Sequence, residues 1–299
     1  MINFHKFGFL DCKRLINYFK DDYSYINQYN PIWMFVNSDY YKFEISFTNE
    51  IIYIRYKLPD LGLIYYPPLG NIDHLDLVIL DMINDSKEAG YDFKLGPILE
   101  RDLIKYKHLG IKLYDCMAFE TYIYQSFNLS MLPTINRNYK KNCKYFEFFH
   151  KDSYIRKIKK EDFPNLIEFI SKYKDLKKDT INELLFIPKL NILKKCMEHL
   201  YELDIIGYLL EDSENIYGFV LGSVFDNITY VYMLFGLPSE IGAYEEILMG
   251  YFRHLATKSK YAALPIHYND KYDILEYDKL KPLRKEKFYL SFDYDKLNK

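Results

Sequence analysis

The segment Ile228-Thr229-Tyr230-Val231-Tyr232-Met233-Leu234-Phe235 is an apolar run, and the turn sequence Gly236-Leu237-Pro238-Ser239 follows it directly. An amphipathic run opens at Gly242-Ala243-Tyr244, and a short apolar run returns at Tyr261-Ala262-Ala263-Leu264-Pro265. The amphipathic run places one apolar stripe on a helix, with Ser239 as its expected N-cap. This stretch predicts a strand, a turn, a helix and a returning strand.

The same order occurs once in the first half of the chain. Gly62-Leu63-Ile64-Tyr65-Tyr66 leads into Pro67-Pro68-Leu69-Gly70, and a helical pattern from Asp73 to Ala89 precedes a short strand pattern over 91–95. We expect Asp73 to be the N-cap of this helix and Gly90 to follow its end. The recurrence indicates two copies of one α/β unit.

Each half also carries an antiparallel hairpin ahead of this unit. The first hairpin joins 41–46 to 51–56 through Thr48-Asn49-Glu50, and the second joins 205–210 to 216–221 through Asp212-Ser213-Glu214-Asn215. Apolar spacing predicts helices over 11–19, 163–173 and 187–203, a loop through Asn30-Pro31, and a last strand over 288–292.

Composition excludes several classes of protein. The chain has 299 residues, of which 49% are hydrophobic, and this is enough for one large or two smaller globular domains. Its formal net charge of −2 excludes a strong overall attraction to nucleic acid or to an anionic membrane. The four cysteines and seven histidines show no metal-ligand spacing, and no secretory signal or membrane-spanning run is evident. We therefore expect a cytoplasmic protein with no metal and no permanently bound cofactor.

A basic segment separates the two halves. Nine Lys and Arg residues stand against two acidic residues over 137–160, and aromatic residues are interleaved with them. On a helix, Arg137, Lys140, Lys141 and Lys144 share one face, an arrangement that suits a phosphate backbone. A solvated helix that joins two domains explains the same pattern without a ligand.

The order of these features resembles the C-terminal catalytic region of phosphatidylglycerol lysyltransferases, which are aminoacyl-phosphatidylglycerol synthases, and soluble proteins built on that region. The resemblance covers almost the whole chain, and five segments carry it: Ser24-Tyr25-Ile26-Asn27 with Trp33, 66–70, 119–124, 242–244 and 283–287. It implies an α+β (mixed α/β) fold of two GNAT-like acyltransferase units in tandem. Each unit is a mostly antiparallel twisted sheet flanked by helices. We expect the units over 1–130 and 151–299, joined by a basic helix over 131–150, with the active cavity in the second.

By this resemblance the chain is an acyl- or aminoacyl-transferase that moves an acyl group from acyl-CoA or aminoacyl-tRNA to an amine or hydroxyl. The acceptor is a small molecule, a peptide or a lipid head group. Such a transfer needs protein groups that contact the phosphates of the acyl donor, a hydrogen-bond donor that stabilises the developing oxyanion, and a base that takes the proton of the nucleophile. Expected acid or base residues are Glu240, Tyr244, His267, Asp273 and Glu276, with Tyr289 a further proton donor. Expected donor-binding residues are Gly236, Ser239, Gly242, Ala243, Lys140, Lys141, Lys144, Arg284, Lys285 and Lys287.

Several of these residues have a purely structural explanation as well. A tight turn capped by Ser239 needs no ligand, and the acidic candidates suit a surface or a helix N-terminus. The chain also departs from the family, since Tyr139-Lys140-Lys141 stands at the family's Lys-Arg-Asn and Leu234-Phe235 at its Glu-Lys. A non-catalytic tandem GNAT-like binding or regulatory module is therefore the alternative, and a nucleic-acid-binding protein without transferase activity is a third interpretation.

Overall fold

The computed structural model describes residues 2–18, 27–48, 50–58, 61–115, 121–177, 186–255, 257–264, 280–286 and 288–293. In chain order the strands are β1 His5–Lys6, β2 Glu44–Thr48, β3 Ile51–Leu58, β4 Gly62–Tyr65, β5 Leu69–Gly70, β6 Leu95–Leu99, β7 Lys112–Asp115, β8 Thr121–Gln125, β9 Tyr154–Lys157, β10 Ile206–Glu211, β11 Ile216–Phe225, β12 Ile228–Gly236, β13 Tyr261–Leu264, β14 Arg284–Glu286 and β15 Phe288–Asp293.

The helices of the described residues lie between and around these strands. They are α1 Phe9–Tyr18, α2 Pro31–Val36, α3 Ser38–Tyr41, α4 Leu75–Glu88, α5 Leu103–His108, α6 Ser126–Ser130, α7 Leu132–Ile135, α8 Arg137–Phe149, α9 Phe163–Leu176, α10 Phe186–Glu198 and α11 Ala243–Leu255.

The strands form two mixed sheets. The first has the order β1-β2-β3-β4-β6-β15-β7, with β5 also paired to β3, and the second has the order β14-β8-β13-β12-β11-β10-β9. In each sheet one parallel pair, β4 with β6 or β12 with β13, stands among antiparallel neighbours, and a helix joins its two strands. The α+β class predicted from the sequence is confirmed.

The two halves exchange strands. β15 follows every other described strand in the chain, yet it lies in the first sheet between β6 and β7. β8 lies in the second sheet, where it pairs with β13 and β14. The strands of each sheet do not come from one continuous part of the chain. The order of the strands therefore does not test the boundaries at 130/131 and 150/151, which remain a prediction.

Both predicted hairpins are confirmed, and so is the strand, turn, helix and returning strand of the second half. Two predicted helix caps are wrong. The first intrahelical bond of α4 ends on the carbonyl of His74, so His74 rather than Asp73 occupies the cap position. In α11 the amide of Glu246 donates to the carbonyl of Gly242, which places the helix start beyond Ser239.

The end of α4 also differs in part from expectation. Gly90 does follow the helix with a φ of +78°, a conformation that glycine adopts without steric cost. The strand predicted over 91–95 begins only at Leu95, because the amide of Tyr91 donates to the carbonyl of Ser86 and closes the helix end instead.

The loop predicted through Asn30-Pro31 is wrong, because α2 begins at Pro31. The Asn30 side chain caps this helix by accepting from the amides of Ile32 and Trp33 at 2.9 and 3.0 Å. All six residues of α2 are buried, in a core that both halves share. A helix buried on every side carries no polar stripe, so its sequence has no helical periodicity to detect.

Lys195 of α10 ties the second half to this buried region of the first. Its Nζ donates to Ser38 Oγ at 2.6 Å and to the carbonyl of Phe35 at 3.2 Å, and it lies 2.8 Å from Asp39 Oδ2. Burial lowers the pKa of Lys195, and the ion pair with Asp39 opposes that effect. Polar contacts as well as a common core therefore hold the two halves together.

Candidate functional site

The candidate site lies at the C-terminal end of β12. The antiparallel pairing of β12 with β11 spans Ile228 to Gly236, whereas its parallel pairing with β13 spans Ile228 to Tyr230. No residue that the structure describes pairs with 231–236 on the β13 side, and we call this end of β12 the wedge of the second sheet. Wedges of this kind between the carboxyl ends of strands are places where ligands bind in open sheets.

A bulge fixes the strand at this opening. The register between β11 and β12 shifts at Leu221 and Gly222, so that Tyr232 is the extra residue on β12. The Tyr232 hydroxyl lies 2.5 Å from Ser223 Oγ and donates to Asn30 Oδ1 at 3.3 Å. The bulge is therefore anchored to the cap of α2 in the other half of the molecule.

The predicted donor-binding turn leads from β12 into α11 and is packed tightly. A Cβ atom at Gly236 would overlap the backbone of Tyr244, and one at Gly242 would overlap the carbonyl oxygen of Asn142 in α8. The amide of Ala243 donates to the carbonyl of Glu240 at 3.1 Å, and Ser239 is exposed. Both glycines are explained by close backbone packing alone, and Gly242 faces α8 rather than an open space.

Two carboxylates occupy the first turn of α11. Glu245 Oε1 accepts from the Asn142 side chain at 2.7 Å, and Glu246 is buried against Cys143 with its Oε1 left without a hydrogen-bond partner. Burial raises the pKa of Glu246. These acidic groups stand where the positive end of the helix dipole would otherwise attract a phosphate.

A polar array lies beside the turn. His150, which ends α8, places Nε2 3.1 Å from Glu240 Oε2, and its ring packs against the ring of Tyr217 at 4.4 Å. The Tyr217 hydroxyl donates to Asp212 Oδ2 at 2.5 Å. Burial and this hydrogen bond raise the pKa of Tyr217 to about 12, and the same bond is the main cause that lowers the pKa of Asp212.

The predicted basic helix is present as α8, but it begins at Arg137 rather than at 131, because α7 ends at Ile135. Asn136 caps α8 by accepting from the amide of Asn138 at 2.8 Å. Tyr139, Cys143 and Phe146 form its buried face, whereas Lys140, Lys141 and Lys144 are exposed. Because Asn142 contacts Gly242, the structure brings the basic helix and the predicted donor-binding turn into one surface region.

The corresponding opening of the first sheet is filled by tyrosines. Tyr29 and Tyr56 donate to the carbonyls of Pro97 and Gly96 in β6, at 2.5 and 3.4 Å. The Tyr66 ring packs between them, with ring centroids 5.4 Å from Tyr29 and 5.1 Å from Tyr56. All three side chains are buried, so this position of the first sheet is closed.

The remaining predicted residues divide into four groups. Tyr244 is half-buried in the first turn of α11. Arg284 and Lys285 lie in β14, where their backbones pair with Ile123 and Tyr122 of β8. His267, Asp273, Glu276 and Lys287 lie outside the described residues. Tyr289 is not near this site, because β15 places it against the core of the first sheet.

Sequence reasoning did not find His150 or Asn142. They contact Glu240 and Glu245, which lie 90 and 103 residues away in the chain. His150 lies in the middle of the basic segment, and Asn142 lies between two of its lysines, but neither has a motif that marks a partner.

Solved structures show which fold this is. A conserved protein of unknown function from Bacteroides thetaiotaomicron superposes with a TM-score of 0.85 at 14% identity, covering 97% of this chain and 99% of its own. The C-terminal domain of a proposed lysylphosphatidylglycerol synthetase from Agrobacterium fabrum gives 0.63 at 11% identity, covering 96% and 92%. L-PGS from Bacillus licheniformis gives 0.60 at 12% identity, covering 85% and 84%.

These similarities confirm that the chain shares its fold with the C-terminal domain of lysylphosphatidylglycerol synthetases, as the sequence resemblance predicted, and at such low identity they show the fold alone. No family model matches the chain, and no curated protein matches it. None of the helices that the structure describes has the length and apolar character needed to span a bilayer.

Proposed function

We propose that this chain is an aminoacyltransferase whose donor is an aminoacyl-tRNA rather than acyl-CoA. The observation that carries the choice of donor is the placement of charge beside the wedge in the second sheet. The exposed Lys140, Lys141 and Lys144 lie on α8, the helix whose Asn142 packs against the turn that precedes α11. The first turn of α11 itself carries Glu245 and Glu246.

An acyl-CoA donor fits this arrangement poorly. Its pyrophosphate would need amide groups at the start of α11, but Gly242 is packed against Asn142 and the amide of Ala243 is bonded to Glu240. Two carboxylates in the same turn would repel the phosphates. An RNA backbone needs only an exposed row of cations, and Lys140, Lys141 and Lys144 provide one.

In the proposed reaction, an amine or hydroxyl of the acceptor attacks the ester carbonyl carbon of the aminoacyl-tRNA. The bond from that carbon to the ribose oxygen breaks, and the proton lost by the nucleophile ends on the ribose oxygen. Acid or base candidates are Glu240, Tyr244, His267, Asp273 and Glu276, and His150 orients Glu240 through their contact. Arg284, Lys285 and Lys287 complete the donor-binding set, and the acceptor is a small molecule, a peptide or a lipid head group.

Binding of charged tRNA tests the donor directly. The variant with Lys140, Lys141 and Lys144 all changed to Gln should bind charged tRNA more weakly and with a shallower salt dependence, losing roughly 0.7 to 0.9 of slope for each phosphate contact removed. The matched control changes three exposed lysines of the first half, Lys87, Lys105 and Lys107, to Gln and keeps the total charge equal. Equal affinity of wild type and the α8 variant would overturn this choice of donor.

Transfer itself is tested with tRNA carrying a radiolabelled amino acid and a mixture of amines and alcohols as acceptors. We expect the protein to release the label from tRNA into acid-soluble or lipid-soluble products, and we expect no release of acyl groups from a panel of acyl-CoA thioesters. Release from the thioesters would select the CoA donor instead.

The alternative is a tandem GNAT-like module that binds a ligand without catalysis. The observation that favours it is the first-sheet opening, which Tyr29, Tyr56 and Tyr66 fill, since it shows that this fold can keep its shape with the wedge closed. Saturable tRNA binding without any label release would select this module.

A further inference from the structure

The C-terminal half of α8 exposes a cluster of aromatic side chains. Tyr145, Phe148 and Phe149 keep 43%, 65% and 59% of their surface accessible to solvent. The Tyr145 and Phe149 ring centroids lie 4.5 Å apart, and those of Phe148 and Phe149 lie 5.1 Å apart. We call these three residues the aromatic knob. Large apolar side chains grouped on a surface usually mark a contact with another body.

The knob lies on the side of α8 that faces away from the protein. Residues at spacings of three and four share a helix face, so Lys141, Lys144, Tyr145 and Phe148 form one stripe. Tyr139, Cys143 and Phe146 form the opposite stripe and are buried against the second half. The helix therefore already has its buried face, and the knob is not needed to hold it in place.

Lysines surround the knob. Lys141 and Lys144 precede it on the same stripe, and Lys151 follows it with Nζ 5.4 Å from the centre of the Phe148 ring. Glu147 lies within the knob and Asp152 follows it, but five Lys and Arg residues stand against these two acidic residues over 137–152. The segment is therefore locally positive in a chain whose net charge is −2. Aromatic side chains with lysines beside them bind anionic bilayers. The aromatic rings enter the head-group region, and the lysines are attracted by its negative potential.

We propose that the aromatic knob and its lysines dock this protein on an anionic lipid surface. The arrangement of the rings favours lipid over RNA. Phe148 and Phe149 pack edge to face, with an interplanar angle of 83°. RNA bases stack on flat, open ring faces, whereas a compact group of rings inserts well among acyl chains. This docking shares Lys141 and Lys144 with the proposed tRNA contact, but it requires neither tRNA nor an acceptor.

Vesicle flotation without tRNA tests the docking. We expect the full-length protein to float with vesicles of phosphatidylcholine and phosphatidylserine in equal parts and to remain behind with phosphatidylcholine alone. The Phe148→Ala/Phe149→Ala variant should bind the anionic vesicles roughly tenfold more weakly or worse, because it loses both inserted rings. Added salt should weaken wild-type binding through screening of the lysines.

The matched control is the Leu77→Ala/Ile104→Ala variant, which removes two apolar side chains exposed elsewhere, at 56% and 67%. It should float like the wild type. A second readout uses Phe148→Trp, whose emission should shift to the blue on anionic vesicles while the buried Trp33 gives a constant background.

Three results would overturn the proposal: equal binding to both kinds of vesicle, unchanged binding after loss of the two phenylalanines, or loss of tRNA affinity in that variant with vesicle binding intact. The last result would assign the knob to RNA. Failure of docking would leave the tRNA transfer assay in solution unaffected, so the two proposals fail separately.

Discussion

Gly242 and Asn142 are in backbone contact, since a Cβ atom on Gly242 would overlap the carbonyl oxygen of Asn142. Gly242 also has a φ of +94°, in the region that favours glycine. The contact joins the turn before α11 to the basic helix α8, although 100 positions separate these two residues in the chain. Substitutions at Gly242 therefore report on the docking of α8 and not only on ligand binding.

We expect Gly242→Ala to destabilise the fold by roughly 2 to 4 kcal/mol, which combines the cost of positive φ with that of an overpacked contact. Gly90→Ala is the control, because Gly90 has a φ of +78° but no atom within 4 Å of the added Cβ. It should cost only about 1 kcal/mol. Urea unfolding of both variants measures the two changes. Equal losses of unfolding free energy would show that α8 shifts to admit the added methyl group without destabilising the fold.

Lys195→Met should destabilise the protein by about 1 to 3 kcal/mol, because it leaves the carbonyl of Phe35 and the hydroxyl of Ser38 without their shared donor. Its neighbour Lys194 is exposed and lies 3.8 Å from Glu198, so Lys194→Met should cost less than about 0.5 kcal/mol. Thermal and urea unfolding measure both changes. Equal losses of stability in the two variants would mean that the hydrogen bonds of Lys195 contribute little to holding the two halves together.

The hydroxyl of Tyr29 is buried and donates to the carbonyl of Pro97 at 2.5 Å. Tyr29→Phe should therefore cost about 1 to 3 kcal/mol, since it strands a buried acceptor. Tyr91→Phe is the comparison, because the Tyr91 hydroxyl lies 3.4 Å from Lys57 Nζ at an exposed position. We expect Tyr91→Phe to have the same urea midpoint as the wild type. A clearly lower midpoint for Tyr91→Phe would contradict the view that the loss of stability in Tyr29→Phe comes from burial of its hydrogen bond.

Glu246 gives a pH dependence of stability. Burial raises the pKa of this carboxyl in the folded state, and Glu147 and Glu245 act in the same direction, while Cys143 and Arg253 oppose them. The stability that Glu246 contributes is thus present below its unfolded pKa and is lost as the pH rises through the folded one. Glu246→Gln should be more stable than wild type at pH 8, with a smaller difference at pH 4.

Melting temperatures of both proteins across that pH range check the prediction. Glu88→Gln is the control, because Glu88 is exposed at the end of α4 and is not among the groups that shift the pKa of Glu246. A wild type that exceeds Glu246→Gln in stability at pH 8 would show that the Glu246 carboxylate has a partner strong enough to offset its burial.

The sequence predicts the local elements of this fold well. The hairpin of β10 and β11 and the amphipathic α11 each follow from a periodic pattern of apolar residues within one short segment. The apolar helix α2 is missed because all its residues are buried, and periodicity needs a polar side.

The candidate site is less accessible to such reasoning. Lys140, Lys141 and Lys144 are exposed on a helix as the spacing predicts, because that face depends only on neighbours along the chain. The pairing of His150 with Glu240 depends instead on how α8 docks against the turn, which no local pattern encodes. The contributions of His267, Asp273, Glu276 and Lys287 remain predictions.

The position of β15 has a consequence for the order in which the chain can fold during its synthesis. This strand completes the first sheet between β6 and β7, yet the ribosome makes it only after the whole of β9 to β13. Until then, the first sheet has two open strand edges in its interior, and such edges readily pair with other chains. In a nascent chain these two edges therefore stay unpaired for longer than the early positions of β6 and β7 in the chain would suggest.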